Sequence, residues 1–181
     1  WDPIDGMYYH LDLSEHADVT RQEITWEIPF KIRGAATLFV LWAGVADEDK
    51  AKRVIHEHVL NPEEFLSEYG IRSLAKNERT YNNAPMGDPS NWQGPIWGLV
   101  TSLVAYGLAH YGYKQEAVDI ANRLLATFAG DIRTNGTLHE YYNAETGEPV
   151  LNPGFLSWNL MAMRLLDDLQ NDRNRTEIPY P

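Results

Sequence analysis

Cysteine is absent from the 181-residue chain, and basic residues are few. Without cysteine there is no disulfide framework, no thiolate nucleophile and no cysteine-ligated zinc site. The 15 Lys and Arg residues stand against 26 Asp and Glu, the formal charge is −11, and no basic cluster is present to neutralise phosphates. Long apolar runs free of charge are also lacking. We therefore expect no nucleic-acid partner and no membrane partner.

Metal-binding patterns are equally scarce. His56 and His58 are two residues apart on a predicted helix, and this spacing puts them on different faces. The stretch "DPIDGMYYHLD" near the N-terminus does not place oxygen ligands at the regular positions of a calcium loop. We predict no metal site and no cofactor.

A leader segment is not visible either. The chain begins at Trp1, without an initiator Met and without a basic region followed by an apolar one. We expect a cytoplasmic protein, and we expect these residues to be a piece of a longer one. Residues 1–181 are then a single domain or a fragment of a catalytic domain, with a loosely ordered polar tail from about residue 171.

Aromatic residues, in contrast, are plentiful. The chain has six Trp and ten Tyr, and many of them fall between predicted helices rather than on their apolar faces. Flat aromatic rings in such positions commonly hold flat ligands such as sugar rings. We therefore expect a carbohydrate as the partner.

The apolar pattern predicts helices that alternate between buried and amphipathic. The segments beginning at Ala35 ("AATLFVLWAGVA"), Pro95 ("PIWGLVTSLVAYGLAHYGY") and Phe155 ("FLSWNLMAMRLLDDLQ") are apolar on most faces, which is typical of inner helices. A helix capped by Asp47 and another that follows Tyr113 are amphipathic, which is typical of outer helices.

Long segments separate these helices. The pattern predicts a short helix over 62–70, then a loop over 71–95 that is longer than ordinary connections, and a second long loop over 135–155. In a ring of antiparallel hairpins, both loops would lie at the same end. We predict an all-α fold that is the C-terminal half of an (α/α)6 toroid of helical hairpins, with short irregular or β segments near the N-terminus.

Two blocks within these loops resemble a known family. The block "SNWQGPIWGLV" and the block "HEYYNAETGEPVLNPGFLSWN" resemble the C-terminal part of glycoside hydrolase family 63, and "DGMYYHLDLS" and "YGIRSLA" also fit. The family contains inverting α-glycosidases on an (α/α)6 barrel, and its small bacterial members hydrolyse glucosylglycerate or mannosylglycerate. The resemblance implies the same activity here, on a small α-glucoside or α-mannoside.

The resemblance also implies roles for individual residues. The family's general base falls on Glu140, and the aromatic residues of its sugar subsite fall on Trp92 and Trp97, with Gln93 placed to bind hydroxyl groups. Either Trp could instead be a core residue at the start of a helix. An inverting mechanism needs a second carboxyl group about 6.5–9.5 Å from the first. The family's general acid is an Asp far upstream, and no matching motif is present, so we expect the acid outside these residues.

Three further aromatic residues are candidates for contact with the sugar: Tyr81, Tyr141 and Trp158. Tyr141 could instead support the loop by packing. The acids Glu145 and Glu148 belong to "AETGEP", which is typical of a turn, and we predict structural roles for both.

Two alternatives to a hydrolase of this family stay open. One is a non-catalytic carbohydrate-binding or helical interaction protein that keeps the aromatic residues without the acid. The other is an unrelated helical-ring enzyme, such as a relative of trehalase or glucoamylase. In either case, inner helices that are apolar on all faces would leave an exposed patch in half a ring. We therefore expect self-association, or a need for the N-terminal half of the barrel.

Overall fold

Helices are the main regular elements of the computed structural model, which describes residues 1–12, 28–86 and 90–173. The strands in these ranges are two or three residues long and pair in three separate antiparallel ladders. The helical class is confirmed, but the short strands occur along the whole chain rather than only near its N-terminus. No helix in the described ranges is long and apolar enough to span a membrane. Most of the predicted loose tail lies outside the described residues.

The first inner helix is shorter than the sequence predicts. Strand β1 (His10–Asp12) pairs with β2 (Ile28–Phe30), a 3-10 turn follows, and α1 then covers only Phe39–Trp42. The chain leaves the helix at Gly44, whose φ of +65° suits glycine. Helix α1 packs against the helix that contains Gly107, where an added Cβ would come within 2.8 Å of the Leu41 Cβ.

The second helix begins where the sequence predicts. Helix α2 (Glu48–Arg53) continues as a π-helical segment to Val59. The Asp47 carboxylate does not cap it, because it binds the Lys50 ammonium at 2.6 Å instead. His58 is buried in the π-helical segment, and its two ring nitrogens lie 2.7 Å from a Glu64 carboxylate oxygen and 2.8 Å from the Asp5 carbonyl oxygen. Burial lowers the pKa of His58, but the hydrogen bond and the charge of Glu64, together with the bond to the Asp5 carbonyl, outweigh it, so the net shift is upward.

The prediction of a helix over 62–70 is wrong. This segment contains turns and a hairpin of β3 (Leu66–Ser67) and β4 (Gly70–Ile71). The reason is a competing partner for the backbone. The Arg72 guanidinium donates to the carbonyl oxygens of Pro62, Glu64 and Leu66, which helical hydrogen bonds would otherwise use.

Three longer helices build the rest of the fold. Helix α3 (Gly98–His110) lies between α1, α4 (Lys114–Asn135) and α5 (Leu160–Gln170). Helix α4 ends at Gly136 in the left-handed conformation. The amphipathic stripe predicted for α4 is confirmed. Five of its six apolar members are buried, namely Ala117, Ile120, Ala121, Leu124 and Phe128, and the sixth, Leu125, is partly buried.

Two helices begin later than predicted. Helix α3 does not begin at Pro95, because Ile96 pairs in extended conformation with Tyr142, with N–O distances of 2.8 and 3.0 Å. Trp97 is therefore the N-cap residue rather than part of the first turn. Helix α5 begins at Leu160 rather than at Phe155, so Trp158 lies in the preceding turn.

The expected exposed face of the inner helices is not found on α3. Its residues are buried within this chain over nearly all of the helix. The large apolar side chains exposed in the last segment are instead Leu156, Leu160 and Met163, each about half exposed. Self-association through such a surface stays a prediction.

Candidate active site

The two long loops contact each other, as the sequence predicts. In addition to the backbone pairing of Ile96 with Tyr142, the Ser90 hydroxyl donates to Glu140 and the Tyr81 hydroxyl donates to Glu145. The loops are therefore joined by backbone and side-chain bonds alike. The residues that the sequence proposes for the site lie on these loops or directly beside them.

Glu140, the proposed general base, lies at the start of a small hairpin formed by β5 (Tyr141–Tyr142) and β6 (Pro149–Leu151). Its backbone N–H donates to the Leu151 carbonyl at 2.9 Å. Its side chain is buried, with 6% of the residue exposed, and both carboxylate oxygens accept hydrogen bonds. Oε1 accepts from the Ser90 hydroxyl at 2.9 Å, and Oε2 accepts from the Asn152 amide at 2.5 Å. This is a buried carboxylate with a hydrogen bond at each oxygen.

The turn of the hairpin is shaped by local polar contacts. The Asn143 side-chain oxygen accepts from the backbone N–H groups of Glu145 and Thr146. Gly147 follows with a φ of +73°, and an added Cβ there would overlap the ring of Tyr69. The steric limit at Gly147 and the Asn143 bonds together give "NAETGEP" its shape.

Glu145 joins the two loops through contacts with three side chains. Its carboxylate binds Arg72 at 3.0 Å, Lys76 at 2.9 Å and the Tyr81 hydroxyl at 2.5 Å. Burial raises the pKa of Glu145, but hydrogen bonds from Tyr81 and Lys76 and the charge of Arg72 bring it down to about 2. The Tyr81 hydroxyl also accepts from Asn83, so both of its hydrogen-bonding roles serve the loops.

The aromatic residues form one cluster, which consists of Trp92, Trp97, Tyr141 and Trp158. Trp92 and Trp97 stack with centroids 3.9 Å apart and planes 10° apart, and Tyr141 stacks beneath Trp97 at 5.0 Å. Trp158 packs against the side of the stack, 5.7 Å from Trp97. Trp97 and Tyr141 are fully buried, whereas Trp92 is 42% exposed. Trp92 is therefore the most exposed member of the cluster, and Trp158 is partly exposed.

Hydrogen bonds tie the two buried aromatic side chains to the backbone of the first long loop. The Trp97 indole N–H donates to the Asn91 carbonyl at 3.0 Å. The Tyr141 hydroxyl donates to the Met86 carbonyl and accepts from the Met86 N–H. The Gln93 side chain is exposed, and its oxygen accepts from Asn82 at 2.9 Å. Trp97 and Tyr141 thus support Trp92 and the loop.

Sequence reasoning missed a buried carboxylate beneath Glu140. Asp131, near the end of α4, accepts from the His139 ring at 2.9 Å, the His139 backbone N–H at 3.0 Å, the Tyr142 hydroxyl at 2.8 Å and the Asn135 amide at 2.8 Å. The signal was present, because Asp131 continues the apolar stripe of α4 one turn beyond Phe128. Burial raises the pKa of Asp131, but the bonds from Asn135, His139 and Tyr142 outweigh it, and the net shift is downward.

The His139 ring therefore points toward Asp131. Within the described ranges, no group of three His, Asp or Glu residues is arranged to hold a metal ion. Sequence reasoning also missed Ser90 and Asn152, which bind Glu140 directly. Both lie within the two sequence blocks quoted above, but the resemblance assigns a role to neither.

The chain is similar to carbohydrate-cleaving enzymes over most of its length. A family model described as the mannosylglycerate hydrolase MGH1-like glycoside hydrolase domain matches residues 1–158. The cytosolic neutral trehalase of Kluyveromyces lactis is 24% identical over 149 residues, which are 81% of this chain and 18% of that protein. The putative periplasmic trehalase of Escherichia coli O157:H7 is 25% identical over 177 residues, which are 92% of this chain and 27% of that protein.

A solved structure shows the same arrangement of elements. The glycoside hydrolase family 63 mannosylglycerate hydrolase of Thermus thermophilus, in complex with Tris, superposes with a TM-score of 0.64 at 25% identity. The match covers 92% of this chain and 34% of that one. The same hydrolase has been solved with glucose, and with Tris and D-glycerate.

The chain spans between 18% and 34% of the length of these proteins. Trehalases match it as well as the mannosylglycerate hydrolase does, so treating trehalases as an unrelated class is not supported. The resemblance to glycoside hydrolase family 63 is confirmed. The chain belongs to the family of mannosylglycerate hydrolase MGH1-like glycoside hydrolase domains.

Proposed function

We propose that this chain supplies the general-base side of the active site of an inverting α-glycosidase. The observation that carries the proposal is Glu140, a buried carboxylate held at the junction of two long loops, with the aromatic cluster on the same loops. The proposed setting is an (α/α)6 barrel, of which these helices form the C-terminal half. The general acid then comes from outside these residues.

The proposed chemistry follows from the requirements of inversion. Glu140, as a carboxylate, removes a proton from a water molecule, and the water oxygen attacks the anomeric carbon on the face opposite the leaving group. A second carboxyl group, about 6.5–9.5 Å away, protonates the leaving oxygen. The exposed face of Trp92 packs against the sugar ring, while Trp97, Tyr141 and Trp158 hold Trp92 in place.

The proposed substrate is a small α-glucoside or α-mannoside such as glucosylglycerate or mannosylglycerate. The family match and the glucose and D-glycerate complexes of the related hydrolase support this choice. Trehalose belongs in the same substrate panel, because trehalases are among the relatives.

The test uses the complete protein that contains this chain. Hydrolysis of each substrate would be followed by proton NMR, which reports the configuration of the released sugar before it mutarotates. The anomer readout uses glucosylglycerate and mannosylglycerate alone, because the leaving glucose of trehalose is itself released as the α-anomer. From these two substrates we expect the β-anomer first, and a Glu140→Gln variant should lose more than about a thousandfold in kcat while still binding sugar. Glu148→Gln, at an exposed acid on the same hairpin, is the matched control and should retain activity.

Two outcomes would overturn the proposal. Undiminished turnover by Glu140→Gln would remove the base assignment, and first release of the α-anomer would remove inversion. Sugar binding by the native protein without hydrolysis of any substrate in the panel would favour the non-catalytic alternative. Cytoplasmic location stays a prediction, because the related trehalases are named as cytosolic and periplasmic.

A further inference from the structure

Asn152 has a backbone conformation that is unusual for a residue other than glycine. Its φ of +54° lies in the left-handed region, which non-glycine residues seldom adopt and which Asn tolerates better than most. Asn152 is exposed, so core packing does not impose this conformation. Such conformations persist where surrounding contacts determine them, and they cluster at functional sites.

The contact that accompanies this conformation is with Glu140. Asn152 directly follows β6, whose last residue, Leu151, accepts the Glu140 backbone N–H. The left-handed turn at residue 152 brings the amide to Oε2 of Glu140 at 2.5 Å. A residue in extended conformation would instead continue the strand past the carboxylate.

The two donors fix the orientation of the Glu140 carboxylate. A side-chain amide N–H can only donate, and the Ser90 hydroxyl donates to the other oxygen, Oε1. One donor on each oxygen leaves the carboxylate little freedom to rotate. Both bonds together therefore hold it in a single orientation, as a general base that must point at its water requires.

We propose that Asn152 and Ser90 are positioning residues, one from each long loop, which aim the Glu140 carboxylate for proton abstraction. This inference rests on the proposed function. Because the two donors come from different loops, the base is oriented only when both loops are in place.

Asn152→Gly and Asn152→Asp test the inference in the complete protein. Glycine adopts positive φ freely, so Asn152→Gly removes the amide without backbone strain. Aspartate keeps the size of the side chain but cannot donate to Glu140 and faces it with a like charge. We expect kcat to fall at least about tenfold in Asn152→Gly with KM nearly unchanged. Asn152→Asp should lower kcat further, and Ser90→Ala should also lower kcat with KM nearly unchanged.

A purely structural role would lower the stability of the protein, whereas a positioning role lowers kcat at unchanged KM and an unchanged urea midpoint. Asp172→Gly makes the same backbone relaxation at another left-handed residue, φ +52°, and should leave kcat unchanged. Native kcat in both Asn152 variants would overturn the inference. The Glu140→Gln variant separates the two proposals: if it stays active, the general-base assignment fails, and if it is inactive while the Asn152 variants are native, only the positioning role fails.

Discussion

Asp131→Ala is the sharpest test of how the Glu140 loop is held. The Asp131 side chain is 1% exposed and is the acceptor for the buried Tyr142 hydroxyl. Removing it leaves that O–H without an acceptor, at a cost of about 1–3 kcal/mol. The His139 backbone N–H keeps the Tyr142 oxygen as an acceptor at 3.1 Å, so it adds little. Loss of the carboxylate partner of the His139 ring, whose side chain is 15% exposed, adds about 1 kcal/mol. We expect a total of about 2–4 kcal/mol.

Urea unfolding measures this loss, provided that the slope of the transition does not change. The double variant Asp131→Ala with Tyr142→Phe is a stricter test, because it removes the Tyr142 hydroxyl together with its acceptor. The double variant should therefore be more stable than the sum of the single effects predicts, by about 1–3 kcal/mol. Asp119→Ala, at an exposed position of the same helix, is the control and should change stability by less than about 0.5 kcal/mol. Additive effects, or a loss below about 1 kcal/mol for Asp131→Ala, would refute the reasoning.

Three more outcomes test the packing and charge of the fold. Gly147→Ala should lower the free energy of unfolding by about 2–4 kcal/mol, because it combines positive φ with a clash against the Tyr69 ring. Gly136→Ala, with nearly equal φ and open space, should lower it by only about 1 kcal/mol. Equal losses would contradict the clash. Trp97→Ala should cost about 3–5 kcal/mol in urea unfolding, while Trp92→Ala should mainly weaken sugar binding, and the reverse pattern would contradict the burial of the stack. The pKa of His58 is raised by folding. The stabilisation that protonated His58 provides is therefore complete below its ordinary pKa of about 6.5, and it is lost as the pH rises through the raised value. The difference in unfolding free energy between the native protein and His58→Gln should accordingly shrink with rising pH, and a difference that does not vary with pH would contradict it.

Local patterns predicted the parts of the fold that local interactions decide. Helix α4 matches its predicted start and its apolar stripe, because its 22 residues repeat the helical period with one consistent polar face. The segment over 62–70 carries equally ordinary helix signals, yet it forms β3 and β4. The deciding partner is the Arg72 guanidinium, which takes three carbonyl oxygens of that segment. Tertiary contacts of this kind override local propensity.

The same distinction explains what was found and what was missed at the site. The resemblance assigns roles to Glu140 and Trp92 within the two sequence blocks. Asn152 and Ser90 lie in the same blocks without an assigned role, and their importance depends on where Glu140 lies in space. Sequence spacing alone, 12 residues in one case and 50 in the other, cannot place them beside it. Asp131 is the intermediate case. A charged residue on an apolar stripe can be noticed in the sequence, but the sequence does not show which residues it binds.

The contacts of Glu140 also limit how this chain can act. Its carboxylate is held from both loops, and the loops are joined separately by the Ile96 pairing and by Glu145 with its two cationic partners. A displacement of either loop would therefore misdirect the base before it disturbed the helices beneath. Since Trp92 is the exposed ring of the stack, sugar recognition and base orientation depend on the same pair of loops. Under the proposed function, separation of the loops should abolish both sugar binding against Trp92 and activation of water by Glu140. Removal of a single contact should impair only one of these two functions.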